Sequence, residues 1–543
     1  MTIMSGGEAL VSSLAREGVE IIFGLPGVQI MEALDALYRQ HQVRWVSVRH
    51  EQTAAYMAYG YARTTGKVGV ALVVPGPGAL NTTAAIGTAY ATSTPVLLVS
   101  GQIESYNLGQ RRGALHEVVD QLGIFQTITK SCHRALSVEE IPEAVHQAMH
   151  HLKTGRPRPV ELEIPWDIMD ASAQVEMPEP EQILLPQPEP TQIQAAAQLL
   201  ASASRPLILA GGGVITSDAS KELTQLAERL NAPVITTPEG KGAIRGDHPL
   251  SLGACYYRFG PAQRTLPQAD VILAVGSRLY LPLPSPWAFR QDQKLIQIDV
   301  DAEEVGRNQA VHLGVIADAR TALSSLLEEL PEKSKSTWQP KELEEIREEV
   351  VTEMEEIAPL QLSLLRTIRS ELEEDAILVP GHTNTGYWSY LAYPVLQPRT
   401  YLTPSYFATL GYGFPTALGV KIGNPQRQVV LLIGDGGFMY ALPELATAVQ
   451  EGLNLVTLLF VDGAFGASLH DQQRRFGGRI IGTRFHNPDF ARLAEAFGAR
   501  GMKLSSPEEL REALRAALDE NRPTVVEVPV PTMVAPFGVS MKL

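Results

Sequence analysis

The chain has 543 residues, 45% of them hydrophobic, and a formal net charge of −15. That length allows roughly three or four domains of about 100–200 residues each. The acidic balance, with no basic stripe, argues against a nucleic-acid backbone or an anionic membrane as the main partner. Cys132 and Cys255 are the only cysteines, which fits a reducing cytoplasm and leaves no disulfide framework or cysteine metal site.

The N-terminal stretch MTIMSGGEALVSSLAREGVE is amphipathic and contains acids, so a first helix is expected there, not a secretory signal. No segment approaches the roughly 18 uninterrupted apolar residues of a membrane span, and a cytoplasmic location is expected. From Glu20 short apolar runs alternate with helical stretches: EIIFG, VQIMEALDALYRQ, WVSV, QTAAYMAYGYART, VGVALVV, the segment after Gly78, and PVLLVS. This alternation predicts a parallel sheet covered by helices, closed by VELEI at Val160 to Ile164.

MPEPEQILLPQPEPTQ, from Met177, is rich in proline and acid and reads as an extended linker. A second α/β unit follows, with strands expected at PLILA, PVITT, DVILAVG and KLIQIDV. After Leu330, PEKSKSTWQPKELEEIREEVVTEMEE reads as a linker and a solvated helix, and a third unit runs from about Pro359 to the end. The fold class is therefore α/β, with doubly wound parallel sheets.

The third unit holds the most informative stretch. VVLLI at Val429 to Ile433 predicts a buried strand that breaks at Gly434-Asp435-Gly436-Gly437, with a helix expected from Phe438 to Gln450. Glycines there let backbone N–H groups turn toward an anion at a helix N-terminus, where the dipole also favours negative charge. Asp435 would repel a phosphate unless it held a divalent cation. Hard Mg²⁺ takes oxygen ligands and often only one or two carboxylates, with phosphates supplying the rest. The next apolar run, LVTLLFV, ends in Asp462-Gly463-Ala464-Phe465-Gly466, so a second carboxylate should emerge at the same edge of a neighbouring strand.

A GDG turn followed 27 residues on by an Asp-bearing turn resembles the thiamine-diphosphate motif. The resemblance implies Mg²⁺ held by Asp435, Asp462 and the carbonyl of Ala464, with Gly434, Asp435, Gly436 and Gly437 on the diphosphate. Arg49-His50-Glu51-Gln52 after WVSV, Pro75-Gly76-Pro77-Gly78-Ala79-Leu80-Asn81, and Gly24-Leu25-Pro26-Gly27 together resemble the pyrimidine-binding domain of thiamine-diphosphate decarboxylases and acetolactate-synthase-like enzymes. The likeness covers nearly the whole chain. It implies a pyrimidine domain at 1–172, a central Rossmann-like domain at 190–332 and a diphosphate domain at 357–543.

It further implies that Glu51 hydrogen-bonds the aminopyrimidine and drives formation of a C2 ylide, which attacks a carbonyl and leaves an enamine after CO₂ departs. Pro26, Asn81, Thr383, Asn384 and the carbonyl of Ala408 would complete the cofactor site, and Leu410 would be the wedge that bends the cofactor. Many relatives have Gly where Ala408 stands. His116, in GALHE, stands where acetolactate synthases carry Gln and could shuttle a proton. Val28, Gln29, Phe465, His470 and Asp471 match substrate-facing positions, and Phe537 in the tail APFGVSMKL could cover the site.

Gly211-Gly212-Gly213 after a strand lacks the full G-x-G-x-x-G pattern, so FAD in the middle domain, as acetolactate synthases have, is an alternative that is not favoured. Two acetolactate markers fail: Asp471 replaces their selectivity Trp, and LYLPLPSP follows Gly276-Ser277-Arg278 without a second Arg. The reading is a thiamine-diphosphate- and Mg²⁺-dependent lyase or carboligase acting on a small 2-oxo acid or aldehyde. Simple decarboxylation to an aldehyde, and a non-catalytic thiamine-diphosphate-binding protein, stay open. The resemblance implies a homodimer at minimum, with a homotetramer expected.

Overall fold

The apolar runs pair in parallel, as their burial on both faces requires. In a computed structural model, which describes residues 2–280, 289–332 and 334–538, they build three sheets. The first has the order Arg44–Ser47, Ile21–Gly24, Gly69–Val73, Val96–Gln102, Val160–Pro165, Ser131–Arg134. VELEI therefore does not close this sheet; the polar strand SCHR lies outside it. The second sheet runs Ser251–Ala254, Val234–Thr236, Pro206–Ala210, Val271–Val275, Lys294–Asp299, Leu313–Ile316. The third runs Ile377–Pro380, Val429–Gly434, Val456–Val461, Thr524–Pro529, Arg500–Lys503.

Leaving aside Arg44–Ser47, the first and third sheets place successive strands in the same spatial order. Their leading helices, Glu51–Thr65 and Gly413–Gly423, cross backbone to backbone. A Cβ on Gly60 would lie 2.3 Å from the Thr416 carbonyl oxygen, and one on Gly419 2.0 Å from that of Met57. That close approach merges the apolar cores of the two domains into one cluster, from Phe23 and Val46 to Leu431 and Ile433.

Three expectations change. The N-terminal helix starts only at Gly6, capped by Ser5 and Glu8, because Thr2–Ser5 is a strand paired antiparallel with Ser172–Val175. The helix expected over 438–450 is broken into a turn at Asp435–Phe438, a 3-10 turn at Leu442–Glu444 and a helix at Leu445–Gln450; Pro443 has no N–H with which to continue the ladder. The helix Pro340–Ile357 is solvated on one side only. Leu343 and Ile346 enter the middle-domain core and Val350 and Met354 that of the third domain, so the stretch clasps two domains together. The stretch between Val175 and Pro190 contains no helix or strand.

Candidate active site

Val429–Gly434 runs beside Val456–Val461 in parallel, so Asp435 and Asp462 leave the same edge of the sheet. Asp435 is buried and fully engaged. Its Oδ1 accepts from Gly436 N at 2.8 Å, and its Oδ2 accepts from Gly463 N at 2.8 Å and from Asn487 Nδ2 at 2.6 Å. Burial and the neighbouring Asp435 charge push the Asp462 carboxyl up to about 6. Its Oδ1 accepts from Ala464 N at 3.2 Å.

The surrounding oxygens suit a hard cation. Asn384 Oδ1 and Asn487 Oδ1 are buried and have no hydrogen-bond partner among the described residues. Asn384 donates its Nδ2 to Met533 O at 2.7 Å. A Cβ on Gly466 would touch both Asp462 Oδ2, at 2.6 Å, and Asn384 Nδ2, at 3.1 Å, which sets Asn384 beside Asp462. Among the described residues no group of three or more His, Cys, Asp or Glu is arranged around a metal. A cation at the two carboxylates would thus complete its shell from carbonyl and phosphate oxygens, the coordination Mg²⁺ prefers.

None of Gly434, Gly436 and Gly437 has positive φ. Gly436 is required by contact, since a Cβ there would sit 2.7 Å from the Phe465 ring. Phe465 also packs edge-on against Phe485 at 5.0 Å. Because the first helical turn is only four residues long, an anion here would be held by local amides more than by a macrodipole.

Glu51 heads the helix Glu51–Thr65. Its Oε2 accepts from Asn81 Nδ2 at 2.9 Å, and its Oε1 lies 3.6 Å from the Cβ position of Gly78. The chain just before it is pinned from the third domain: Arg49 N donates to the Glu444 carboxylate at 3.0 Å, and burial pushes that carboxyl up. Ala408 has φ 48, the left-handed conformation that glycine would adopt, so the turn keeps its shape with a methyl group present. Leu410 Cδ2 lies 3.8 Å from the Cβ position of Gly437. Thr409 Oγ1 meets Tyr56 Oη at 2.7 Å, tying this loop to the Glu51 helix. Thr383 occupies the N-cap position of Asn384–Ala392 without a side-chain capping bond, its Cβ 3.4 Å from the Cβ position of Gly434.

His116 has φ 69, and its buried Nδ1 has no partner among the described residues. Gln29 donates to the Leu115 carbonyl at 3.2 Å, so Gln29 and His116 share one wall, while Pro26 and Val28 are exposed beside it. His470 and Asp471 fall inside the helix Gly466–Arg475, not at its start. Asp471 pairs with Arg474 and Arg475 of its own helix and is turned along it. Phe537 packs on Tyr387 at 5.0 Å; the tail from 539, and LYLPLPSP beyond Tyr280, lie outside the described residues.

Sequence reasoning missed Asn487, Glu444 and His382. Asn487-Pro488-Asp489 carries a turn and helix-cap signal, and Asp489 does cap the helix Phe490–Phe497; nothing in it points to Asp435. His382 follows the strand Ile377–Pro380; its buried Nε2 has no partner among the described residues, and burial lowers its pKa to about 4.

A cavity of about 580 Å³ opens at the strand ends of the middle domain, lined by Gly211, Gly276, Arg278 and Asp299, and walled as well by Arg63 of the first domain and Tyr406 of the third. Its glycines answer to backbone contact: a Cβ on Gly211 would lie 2.2 Å from the Gly276 carbonyl oxygen, and one on Gly213 2.5 Å from Gly276 Cα. Among the described residues no helix is long and apolar enough to cross a membrane.

Family models match all three domains. Residues 4–124 match the N-terminal TPP binding domain of thiamine pyrophosphate enzymes, 193–326 their central domain and 381–528 their C-terminal TPP binding domain. A probable acetolactate synthase large subunit of Methanocaldococcus jannaschii is 36% identical over 97% of this chain and 92% of its own. A probable 2-ketoarginine decarboxylase of Pseudomonas aeruginosa is 36% identical over 97% of this chain and 94% of its own. The acetolactate synthase isozyme 3 large subunit of Escherichia coli is 33% identical over 98% and 95%. With all three cofactor-enzyme domains present in order and relatives aligned end to end, the chain belongs to the thiamine pyrophosphate enzyme family and is an enzyme of its decarboxylase and carboligase class.

Proposed function

We propose that this enzyme uses thiamine diphosphate and Mg²⁺ to cleave or form a C–C bond at the carbonyl of a small 2-oxo acid or aldehyde, in the manner of an acetolactate synthase. The observation that carries the reading is the meeting of Asp435 and Asp462 at adjacent strand ends, with Asn487 and Gly463 orienting the first carboxylate. The names of the relatives, synthases of acetolactate and a decarboxylase of a 2-keto acid, support a 2-oxo acid donor. Simple decarboxylation to an aldehyde is the second reading, favoured by the engagement of Asp471 with its own helix at the position where acetolactate synthases select the second substrate.

Thiamine diphosphate, when bound, supplies a carbon nucleophile and a sink for the electrons released with CO₂. Asp435, Asp462 and the Ala464 carbonyl would hold Mg²⁺ against the diphosphate. Asn81 occupies Glu51 Oε2, leaving Oε1 to exchange a proton with the aminopyrimidine. Ala408 and Leu410 would set the cofactor's bend, and His116 and Gln29 would face the reacting carbonyl. In this reading residues 1–172, 190–332 and 357–543 are the pyrimidine, central and diphosphate domains, and two copies share each site. The exposure of Leu115, next to His116, and of Met439 and Tyr440, just after the Asp435 turn, supports such pairing. The central cavity has the size of a nucleotide site, but the proposed chemistry needs no flavin.

The test supplies the apo-protein with thiamine diphosphate, Mg²⁺ and a panel of 2-oxo acids and aldehydes, beside Glu51→Gln. Cofactor-dependent CO₂ release or hydroxyketone formation that falls at least 100-fold in the variant is expected. Equal turnover in Glu51→Gln would overturn the reading.

A further inference from the structure

A second polar constellation lies under the first sheet, away from solvent. Ser100, Gln121, Glu161 and Glu163 are each fully inaccessible. They form a directed chain. Gly76 N donates to Gln121 Oε1 at 2.8 Å, Gln121 Nε2 donates to Ser100 Oγ at 3.1 Å, and Ser100 Oγ donates to Glu161 Oε1 at 2.7 Å. Beyond it, Arg134 Nε donates to Glu163 Oε2 at 2.6 Å.

The chain has one orientation. Gly76 N–H can only donate, so Gln121 must present its oxygen there and its nitrogen to Ser100, and the hydroxyl proton must go to Glu161. Two carboxyls with a single guanidinium leave one charge in excess, and burial pushes both carboxyls up. One oxygen on each, Glu161 Oε2 and Glu163 Oε1, has no partner among the described residues. A proton on one of the two carboxyls removes that excess charge.

The other end of the chain holds Gly76 at φ 58 and ψ −115, a conformation that non-glycine residues avoid. The turn around it meets both candidate catalytic residues. The His116 carbonyl oxygen lies 2.3 Å from the Cβ position of Gly76, and Glu51 Oε1 lies 3.6 Å from that of Gly78. The short helix that follows, Pro77–Asn81, delivers the amide held by Glu51 Oε2. A buried amide N–H left without its acceptor costs enough to move such a turn.

We infer that Gln121, braced by Ser100 and the Glu161–Glu163 pair, is a positioning residue that fixes the Gly76 turn and thereby sets Glu51 and His116. The inference rests on the proposed thiamine-diphosphate chemistry at Glu51. Its test is exchange of the cofactor C2 proton for deuterium in the holoenzyme, read by NMR after acid quench, with no substrate present. Gln121→Met, of similar length but unable to accept from Gly76, should slow exchange and lower kcat at least tenfold, while KM changes less than threefold. Ser100→Ala, which leaves Gln121 in place but removes its brace, should fall between that variant and wild type; it carries the test if Gln121→Met does not fold. Exchange within twofold of wild type in the folded variants overturns the inference. Failure of the wild-type holoenzyme to accelerate exchange over free cofactor would overturn the underlying chemistry instead.

Discussion

Asn487 is the most exposed weakness of the proposed metal turn. Its Nδ2 reaches Asp435 Oδ2 at 2.6 Å, a short hydrogen bond from a neutral donor to a carboxylate. Such bonds contribute about 1.5–3 kcal/mol. Asn487→Ala removes this one and leaves Asp435 Oδ2 held only by Gly463 N, at 2.8 Å, so the carboxylate can rotate out of register with Asp462. At about 1.4 kcal/mol per tenfold, Mg²⁺ should bind roughly 10–100-fold more weakly, the range typical for groups that orient metal ligands. The assay is calorimetric titration of apo-protein with Mg²⁺ at saturating thiamine diphosphate, with far-UV circular dichroism to confirm the fold. Excess Mg²⁺ should restore much of the activity. A Kd within twofold of wild type would refute the reasoning, since Asp435 would then be oriented without Asn487.

Two further outcomes follow from burial and from contact. Burial holds His382 at about 4 against an ordinary 6.5, so between those values the unfolded chain binds a proton that the folded chain does not. Stability is therefore full above pH 6.5 and falls as pH drops toward 4, by about 2 kcal/mol at about pH 5. Denaturant unfolding of wild type and His382→Phe at about pH 7.5 and 5 measures it; identical pH slopes would contradict it. Gly419→Ala puts a methyl 2.0 Å from the Met57 carbonyl oxygen and must part the two central helices. A loss of about 1–3 kcal/mol is expected in the same unfolding assay, and an unchanged midpoint would show that the helices yield freely.

How much of this was legible depends on the range over which each feature is determined. Asp435 and Asp462 each follow a run of apolar residues that only a buried strand explains, and parallel pairing of neighbours brings their ends to one edge. Asn487 follows no strand and reaches Asp435 across 52 residues, so a local pattern shows its turn and not its target. The edge strands SCHR and RGMK are too polar to announce themselves, and Thr2–Ser5 finds its partner only at Ser172–Val175. Trp338 looked like linker, yet it is buried, with its Nε1 donating to Pro206 O at 2.8 Å.

The glycines mark the limit most clearly. In sequence, a glycine inside a helix is a cost of about 0.5–1 kcal/mol, and a glycine cluster after a strand suggests a phosphate loop. Gly60 and Gly419 repay that cost by letting two helices of similarly ordered domains touch. Gly211 and Gly213 make room for the backbone of Gly276. Gly436 makes room for the ring of Phe465, which follows the second of the two carboxylate-bearing strands. A glycine reports that something comes close; whether it is ligand, ring or backbone is decided by residues far away in the chain, which is why the turn at Asp435 became interpretable only with a second carboxylate beside it.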